Sequence, residues 1–407
     1  MSTVPLASHF SILKDPRIDR TKQHSLLDIL VIAFCAVLCG AEGWEDMEEF
    51  GLAKEEWLKE RLGLQLANGI PTDDTFRRLF ARLDPEQFGQ CFLSFSQSLH
   101  TYTKGEVIAL DGKAVRHSFD VATGQSAIHL VNAWATESGL ALGHVKVDSK
   151  SNEITAIPAL LKLFDISGCI ITIDAMGCQK AIAKQIVDKK ADYVLALKGN
   201  QSTLHEEVKS FFEDARAHDF YPKDEERRIA HGYYEAMEKD HGRIETRRCW
   251  MVSTASLDWL WQKEEWAGLS SIGAVESERR IGEKVTRETR YFVSSLEGSV
   301  KMQDSVKLQG SVKKFARAVR AHWGIENRLH WALDVAFGED NCGIWQDHAP
   351  ENLASLRKIA LNLLRQDKKN KRGLKARSKK ASWDNDYLLR ILLQSHEEGG
   401  NEAINEG

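Results

Sequence analysis

The first hundred residues carry apolar positions at helical spacing. Helices are predicted at 26–40 and 44–62, and the second has its acidic residues early and its basic residues late, as the helix dipole favours. A third helix is predicted to begin at Thr72 or Asp73, either of which can cap it. Residues 1–100 are therefore expected to form a helical N-terminal domain.

From residue 106 the pattern changes to short apolar runs separated by turns. Strands are predicted at 106–111, 127–135, 140–147, 169–174 and 192–198, with helices at about 153–164 and 177–190. Three consecutive strands followed by alternating helix and strand is the order of an RNase H-like core. The predicted fold class is therefore α/β, with an RNase H-like catalytic core whose first part spans 101–204 and whose second part spans 301–366.

Residues 205–300 separate the two parts of this core. A charged helix is predicted at 204–216, followed by β-rich segments at 244–252, 268–276 and 286–294, so the region is interpreted as a β-rich insertion. Four tryptophans cluster here, and they either form the core of a small β domain or offer a platform for stacking unpaired bases. They are Trp250, Trp259, Trp261 and Trp266.

The chain returns to helix after the insertion. One helix is predicted at 312–331 and a second at 352–364. The strongly basic segment 365–380 is either a solvated linker or an arm that contacts a nucleic-acid backbone, and it falls mostly in the expected basic tail and C-terminal segment, 367–407. One face of the first helix carries six residues at alternating steps of four and three: Phe315, Val319, His322, Glu326, Leu329 and Leu333.

Composition limits the class of protein. The 407 residues carry a net charge of −4, so any nucleic-acid contact must depend on local basic patches. The seven cysteines form no Cys-x-x-Cys pair, which is typical of buried thiols in a reducing compartment. The apolar run 26–41 is too short to span a membrane and contains Asp28, and no secretory signal is visible. A cytoplasmic protein without membrane contact is expected.

Three acidic residues occupy positions where a carboxylate is costly. Asp111 and Asp174 end apolar strands, and Glu326 interrupts the apolar face of its predicted helix. Such carboxylates need partners, and Mg²⁺ or Mn²⁺ is a usual one. For Glu326 the alternative is a buried pair with His330, and the acidic pair 339–340 is a rival source of the third ligand.

Polar residues close to these acids are candidate DNA contacts. Those predicted to bind DNA are Lys113, Arg116, Lys198, Asn200, Gln201, His322, Asn327 and Arg328. For the residues after Asp111 and after the last core strand, which are the first five of these, the alternative is a surface loop without function. The third N-terminal helix exposes Arg77, Arg78 and Arg82, which either enter a DNA groove or form a solvated face. A histidine zinc site on the Glu326 helix is discounted, because no cysteines stand at finger spacing.

Several long motifs in a fixed order resemble the H-repeat-associated (ISAs-type) insertion-sequence transposases of bacteria. The resemblance extends over nearly the whole chain. The motifs are ALDGK at 109–113, SKSNE at 149–153, TIDAMGCQK at 172–180, ALKGNQ at 196–201, HGRIE at 241–245 and HWGIENRLHW at 322–331.

The resemblance implies a DDE transposase. Asp111, Asp174 and Glu326 match its three acids, with Mg²⁺ as cofactor and Mn²⁺ as a substitute, so that the two aspartates share one ion and Glu326 completes a second site. It also implies binding of the terminal inverted repeats by the N-terminal domain, attack of a freed 3′-hydroxyl on target DNA, and a homodimer in the synaptic complex. The expected location is the cytoplasm, at the nucleoid.

One departure from related enzymes concerns the third acid. Many of them carry a Tyr-Arg-Glu-Lys signature, whereas this chain has Val319, His322, Glu326 and Leu333 at the matching spacing. The phosphate contacts of that signature cannot be transferred, and His322, Arg320 or Arg328 can replace the arginine. Two other functions are open: an inactive DNA-binding remnant of a transposase, and a stand-alone metal-dependent nuclease that hydrolyses DNA without joining it.

Overall fold

The structure is a computed structural model. It describes residues 5–121, 124, 126–148, 151–221, 229–240, 242–298 and 305–393. Ser149 and Lys150 of the SKSNE motif and His241 of the HGRIE motif lie outside the described residues, as does the C-terminal end of the chain from residue 394.

Nine strands of the described chain form one mixed sheet. Their order across it is β3-β2-β1-β4-β5-β9-β8-β7-β6. The strands are β1 Val107–Ala114, β2 His129–Ala135, β3 Leu140–Lys146, β4 Ile170–Ile173, β5 Asp192–Leu197, β6 His231–Asp240, β7 Arg243–Ser253, β8 Ser271–Ile281 and β9 Lys284–Ser294.

The first five strands have the topology predicted from the sequence. β1 pairs with β2 and β2 with β3 in antiparallel fashion, whereas β1 pairs with β4 and β4 with β5 in parallel. β4, which is parallel to both of its neighbours, is apolar and buried throughout, as expected of a strand covered by helices on both faces. This strand arrangement, together with the helices that cover the sheet, confirms an RNase H-like α/β core.

The β-rich insertion continues the core sheet instead of forming a separate small sheet. β9 pairs with β5 in antiparallel fashion, and β8, β7 and β6 follow outward. Trp250 and Trp266 are buried in the core that the insertion shares with β4 and β5, whereas Trp261 is 62% exposed. Trp250 and Trp266 are therefore core residues, as the first interpretation predicts, whereas Trp261 is exposed, as a stacking platform for bases would require. β6 was not predicted, because its residues alternate between half-buried and exposed and contain no apolar run.

Helices cover both faces of the sheet. Those of the N-terminal region share a hydrophobic core with the C-terminal helices and with Trp134 of β2, so the helical region does not stand apart from the catalytic core. α6, α7 and α8 pack on the opposite face. The helices are α1 Pro5–His9, α2 Leu26–Leu38, α3 Trp44–Leu62, α4 Asp73–Arg82, α5 Pro85–Leu99, α6 Glu153–Lys162, α7 Lys180–Asp188, α8 Ser202–Ala217, α9 Ser305–Gly324, α10 Trp331–Phe337, α11 Ala349–Gln366, α12 Leu374–Trp383 and α13 Asn385–Leu393.

The basic segment after α11 is not a free linker. Its last seven residues, 374–380, belong to α12, which with α13 packs against the shared helical core through residues such as Tyr387 and Leu388. Arg377 donates hydrogen bonds to the carbonyl oxygens of Leu364 (2.7 Å) and Arg372 (2.8 Å), so this cation satisfies the end of α11 and its following turn. No helix in the described ranges is both long and apolar enough to cross a bilayer.

A buried lysine connects β1 to the chain that follows α9. Lys113 is 9% exposed, and its Nζ lies 2.7 Å from Asp334, 2.8 Å from Asp340 and 3.5 Å from the buried Glu339. We call these four residues the Lys113 cluster. Its geometry does not favour the predicted DNA contact of Lys113, because the ammonium group is already used inside the protein. Arg116 also reaches Asp340 (3.3 Å), but its side chain is 78% exposed.

Replacing Lys113 by methionine should destabilise the fold. The three acids of the Lys113 cluster would lose their buried cation, and an uncompensated buried charge costs about 3–5 kcal/mol of unfolding free energy. Urea denaturation measures this loss. Arg116→Met is the matched control and should cost less than about 1 kcal/mol, because its ion pair is largely solvated. Equal losses in the two variants would contradict a structural role for the Lys113 cluster.

Candidate active site

The pairing of β1 with β4 brings the first two acids together. The strands run parallel, and Leu110 pairs with Ile173, so Asp111 and Asp174 each follow one of two directly paired residues. Asp174 accepts hydrogen bonds from the backbone N–H groups of Met176 (3.0 Å) and Gly177 (3.4 Å), which fix its carboxylate at the turn after β4. Two strands distant in sequence thus place their acids at one edge of the sheet.

The third acid comes from an irregular part of its helix. The chain from Ile325 to His330 is π-helical between α9 and α10, and such a turn holds one more residue than an α-helical turn. Ile325 and Leu329 remain in the core, whereas Glu326 is exposed. The sequence placed Glu326 on the buried face, and that placement is wrong because the π-helical segment shifts the phase of the helix.

One cavity contains all three acids. Its volume is about 350 Å³, and Asp111, Asp174 and Glu326 line it. Its other walls come from β4, β5, α9 and the insertion strand β9. The structure therefore brings together the three residues that the sequence had selected from positions up to 215 residues apart.

The electrostatics of the cavity show crowded negative charge. Burial is the main cause that raises the pKa of Asp111 to about 7, and the carboxylates of Asp174, Glu326 and Glu153 raise it further. Burial also raises the pKa of Asp174, with Glu153 as the neighbouring acid, while Lys198 and the backbone N–H bonds oppose that shift. Ionising the acids together is therefore costly unless a cation joins them.

These residues fit a divalent cation. Carboxylate oxygens are the ligands that Mg²⁺ prefers, and Asn132, which lies opposite Asp111 on β2, is 1% exposed with an Oδ1 atom that has no hydrogen-bond partner. Among the residues that the structure describes, no three His, Cys, Asp or Glu side chains already stand close enough to hold one ion. Asp111 and Asp174, with Glu326, are the residues that would hold it.

The structure also places the residues of the two alternative interpretations, the acidic pair 339–340 as a source of the third ligand and His330 as the partner of Glu326. Glu339 and Asp340 belong to the Lys113 cluster and do not line the cavity, so their position does not favour them as a source of the third ligand. His330 lies 3.6 Å from Asp111, not against Glu326 as an ion-pair partner, and burial lowers its pKa to about 3. A neutral His330 near pH 7 does not balance the charge of Asp111.

Three predicted DNA contacts follow β5. Lys198 is exposed and lines the cavity, where it can reach a phosphate. Asn200 donates to the carbonyl oxygen of Ala175 (2.6 Å), and Gln201 donates to that of Cys178 (3.0 Å). These two amide nitrogens hold the loop after Asp174, so the structure gives Asn200 and Gln201 a supporting position and leaves Lys198 facing the cavity.

The predicted contacts on the third-acid helix also differ from one another. His322 shares a hydrogen bond with Thr172 (3.1 Å), and burial lowers its pKa to about 4, so it is neutral near pH 7 and cannot replace a phosphate-binding arginine by charge. Arg328 donates to the carbonyl oxygen of Thr136 (3.2 Å). Asn327 is exposed and borders a groove that leads along the insertion strands.

Two residues of the site were missed by the sequence reasoning. Arg290 of β9 lines the cavity, and its guanidinium stacks 4.5 Å from the centre of the Trp323 ring. Glu153, at the start of α6, acts electrostatically on both aspartates. The SKSNE motif contained a signal for Glu153, whereas Arg290 lies in a strand with many charged residues and had none.

Comparisons with known proteins identify the family of the chain. Residues 7–96 match the family described as "DDE_Tnp_1-associated", and residues 102–363 match "Transposase DDE domain". A solved structure described as "Cryo-EM structure of piggyBac transposase synaptic complex with hairpin DNA (SNHP)" aligns with 95% of this chain and 77% of that one. Its TM-score is 0.40 and its identity is 11%, too low for any conclusion about this chain.

Curated relatives match over nearly the full length. "Putative transposase YncI" of Escherichia coli O157:H7 is 41% identical, covering 98% of this chain and 97% of that protein. "H repeat-associated putative transposase YhhI" of Escherichia coli (strain K12) is 39% identical, covering 97% of this chain and 99% of that protein. With a DDE domain over most of its length and such relatives, the chain belongs to the DDE transposases, together with the H repeat-associated transposases of insertion sequences.

Proposed function

We propose that the chain is an active transposase that cleaves DNA at the ends of its insertion sequence and joins them to target DNA. In cleavage, a water oxygen bonds to the scissile phosphorus, and the 3′ oxygen leaves and takes up a proton. In joining, that 3′-hydroxyl loses its proton and bonds to a target phosphorus, whose own 3′ oxygen leaves with a proton. The observation that carries the proposal is the single cavity lined by Asp111, Asp174 and Glu326.

The residues of the cavity suit a phosphate group flanked by two reacting oxygens. Lys198 and Arg290 provide positive charge at its wall for the non-bridging phosphate oxygens. The backbone N–H groups after Asp174 keep that carboxylate in place, and His330 lies 3.6 Å from Asp111. A divalent cation held by these acids would stabilise charge on the attacking and leaving oxygens.

A larger cavity extends from the same edge of the sheet toward the N-terminal helices. It has a volume of about 1020 Å³ and is lined by Arg82 of α4, Lys146 of β3 and His348, among others. Its lining also includes Asp148, Glu153 and Asp347, so its charge is mixed, and its position between α4 and β3 is what supports a path for DNA there. Recognition of terminal inverted repeats, and a homodimer that pairs two ends, are further parts of the proposal.

Cleavage and joining on labelled DNA that carries the ends of the element test this function. With Mg²⁺, we expect both products from the wild-type chain and neither from Asp174→Ala, while the variant still binds the DNA. Binding without cleavage by the wild type would favour the inactive remnant. Cleavage without joining would favour a nuclease.

The third acid can be identified by a matched pair of variants. Glu326→Gln should lower the cleavage rate by at least about 100-fold, because a charged ligand at the reacting phosphate is lost. Asp340→Asn removes an acid that lies close to Glu326 in the sequence but contacts Lys113. The cleavage rate of this variant should stay within about tenfold of the wild-type rate. Single-turnover cleavage rates decide between them, and the reverse order would assign the third acid to Asp340.

The crowded acids also predict a stability effect. Asp111→Asn removes one buried charge with little change in size. Since the pKa of Asp111 is raised to about 7 in the fold, its ionisation opposes folding, and wild-type stability relative to the variant should fall between about pH 4 and pH 7 and then level off.

Thermal melting without divalent cations checks this effect. At pH 8 we expect the variant to melt roughly 2–6 °C above the wild type. Adding Mg²⁺ should raise the melting temperature of the wild type more than that of Asp111→Asn. A variant that melts below the wild type at pH 8 would contradict the charge crowding.

A further inference from the structure

A fourth carboxylate approaches the three acids from the opposite face of the sheet. Glu153 is the first residue of α6, and Asn152 caps that helix by accepting a hydrogen bond from the N–H of Ile154 (3.1 Å). The cap fixes where α6 begins and therefore where Glu153 lies. Its side chain is 13% exposed.

A glycine lets this carboxylate reach β1. A Cβ atom at Gly112 would lie 2.0 Å from Oε1 of Glu153 and 2.5 Å from Nε2 of His129, so any other residue there would displace both groups. Gly112 directly follows Asp111, and its missing side chain leaves a gap in the wall of β1. Glu153 occupies that gap, one residue along β1 from the first acid.

A histidine on the neighbouring strand holds Glu153 in this position. Oε1 of Glu153 lies 2.7 Å from Nε2 of His129, which pairs across β1 and β2 with Ala114. The contact raises the pKa of His129. It uses one oxygen of the carboxylate, and no described hydrogen bond or ion pair uses Oε2.

Glu153 lies near both aspartates. Its Oε1 atom is beside Gly112, which directly follows Asp111 in β1. The cavity beside it also contains Met176, which belongs to the turn that holds Asp174. An acid held beside two other buried acids increases their repulsion, which is costly unless a cation binds. The unpartnered oxygen of Asn132 on the neighbouring strand independently indicates a missing ligand at this edge.

We propose that Glu153 is a fourth carboxylate of the cation-binding centre, held by His129 and admitted by the gap at Gly112. The inference rests on the proposed function, because it assumes that Asp111 and Asp174 bind a divalent cation. Glu153, the last residue of the SKSNE motif, would then serve the cation.

Binding of Mn²⁺ to the full chain without DNA tests the proposal independently of activity. Electron paramagnetic resonance of free Mn²⁺ gives the dissociation constant. We expect Glu153→Gln to raise it by at least about tenfold, because the amide keeps the size and a bond to His129 but loses the charge. Glu45→Gln is the matched control, since Glu45 is an exposed acid in the first turn of α3, and it should leave the constant within twofold.

The outcomes separate this inference from the proposed function. Asp111→Asn should abolish binding, whatever Glu153 does. If it does so while Glu153→Gln binds Mn²⁺ like the wild type, Glu153 is only a structural partner of His129 and the inference is overturned, whereas the proposed function stands. If the wild type binds no Mn²⁺, both fail. Circular dichroism checks that each variant is folded, and Glu153→Asp, which keeps the charge, should recover part of the affinity lost in Glu153→Gln.

Discussion

The parallel pairing of β1 with β4 is the constraint on which the site depends. Its register sets Asp111 beside Asp174, and a shift by one residue would turn one of the two carboxylates to the other face of the sheet. Helices on both faces bury these strands and so fix the register. The same burial removes water from the acids, which raises the cost of their charge and the benefit of a cation.

The third acid depends on contacts at a distance from the cavity. The π-helical segment turns Glu326 out of the core, and the Lys113 cluster holds the chain after that segment against β1. The same strand thus carries the first acid and, two residues later, the lysine that fixes the helix of the third. The insertion adds β9 to the open edge of β5 and brings Arg290 to the cavity.

Sequence patterns predicted those features that depend on neighbouring residues. Asp111 and Asp174 were selected because apolar runs stop at them, although β1 continues past Asp111 to Ala114. The order of the core strands followed from their spacing. The partners of Lys113 could not be predicted, because Asp334 and Asp340 lie 221 and 227 residues away in the sequence. Glu326 lines the cavity with the other two acids, but the buried position predicted for it was wrong, since periodicity does not reveal a π-helical segment. β6 and the role of α12 were missed because charged side chains conceal a packed face.

Asp111, Asp174 and Glu326 are proposed to form one cation-dependent centre. Anomalous diffraction from crystals of the full chain soaked in Mn²⁺ tests this proposal without reference to activity, because it locates the ion itself. We expect an anomalous peak between the carboxylates of Asp111 and Asp174, which disappears in Asp111→Asn. A peak at the acids of the Lys113 cluster, or no peak between Asp111 and Asp174, would overturn the proposal.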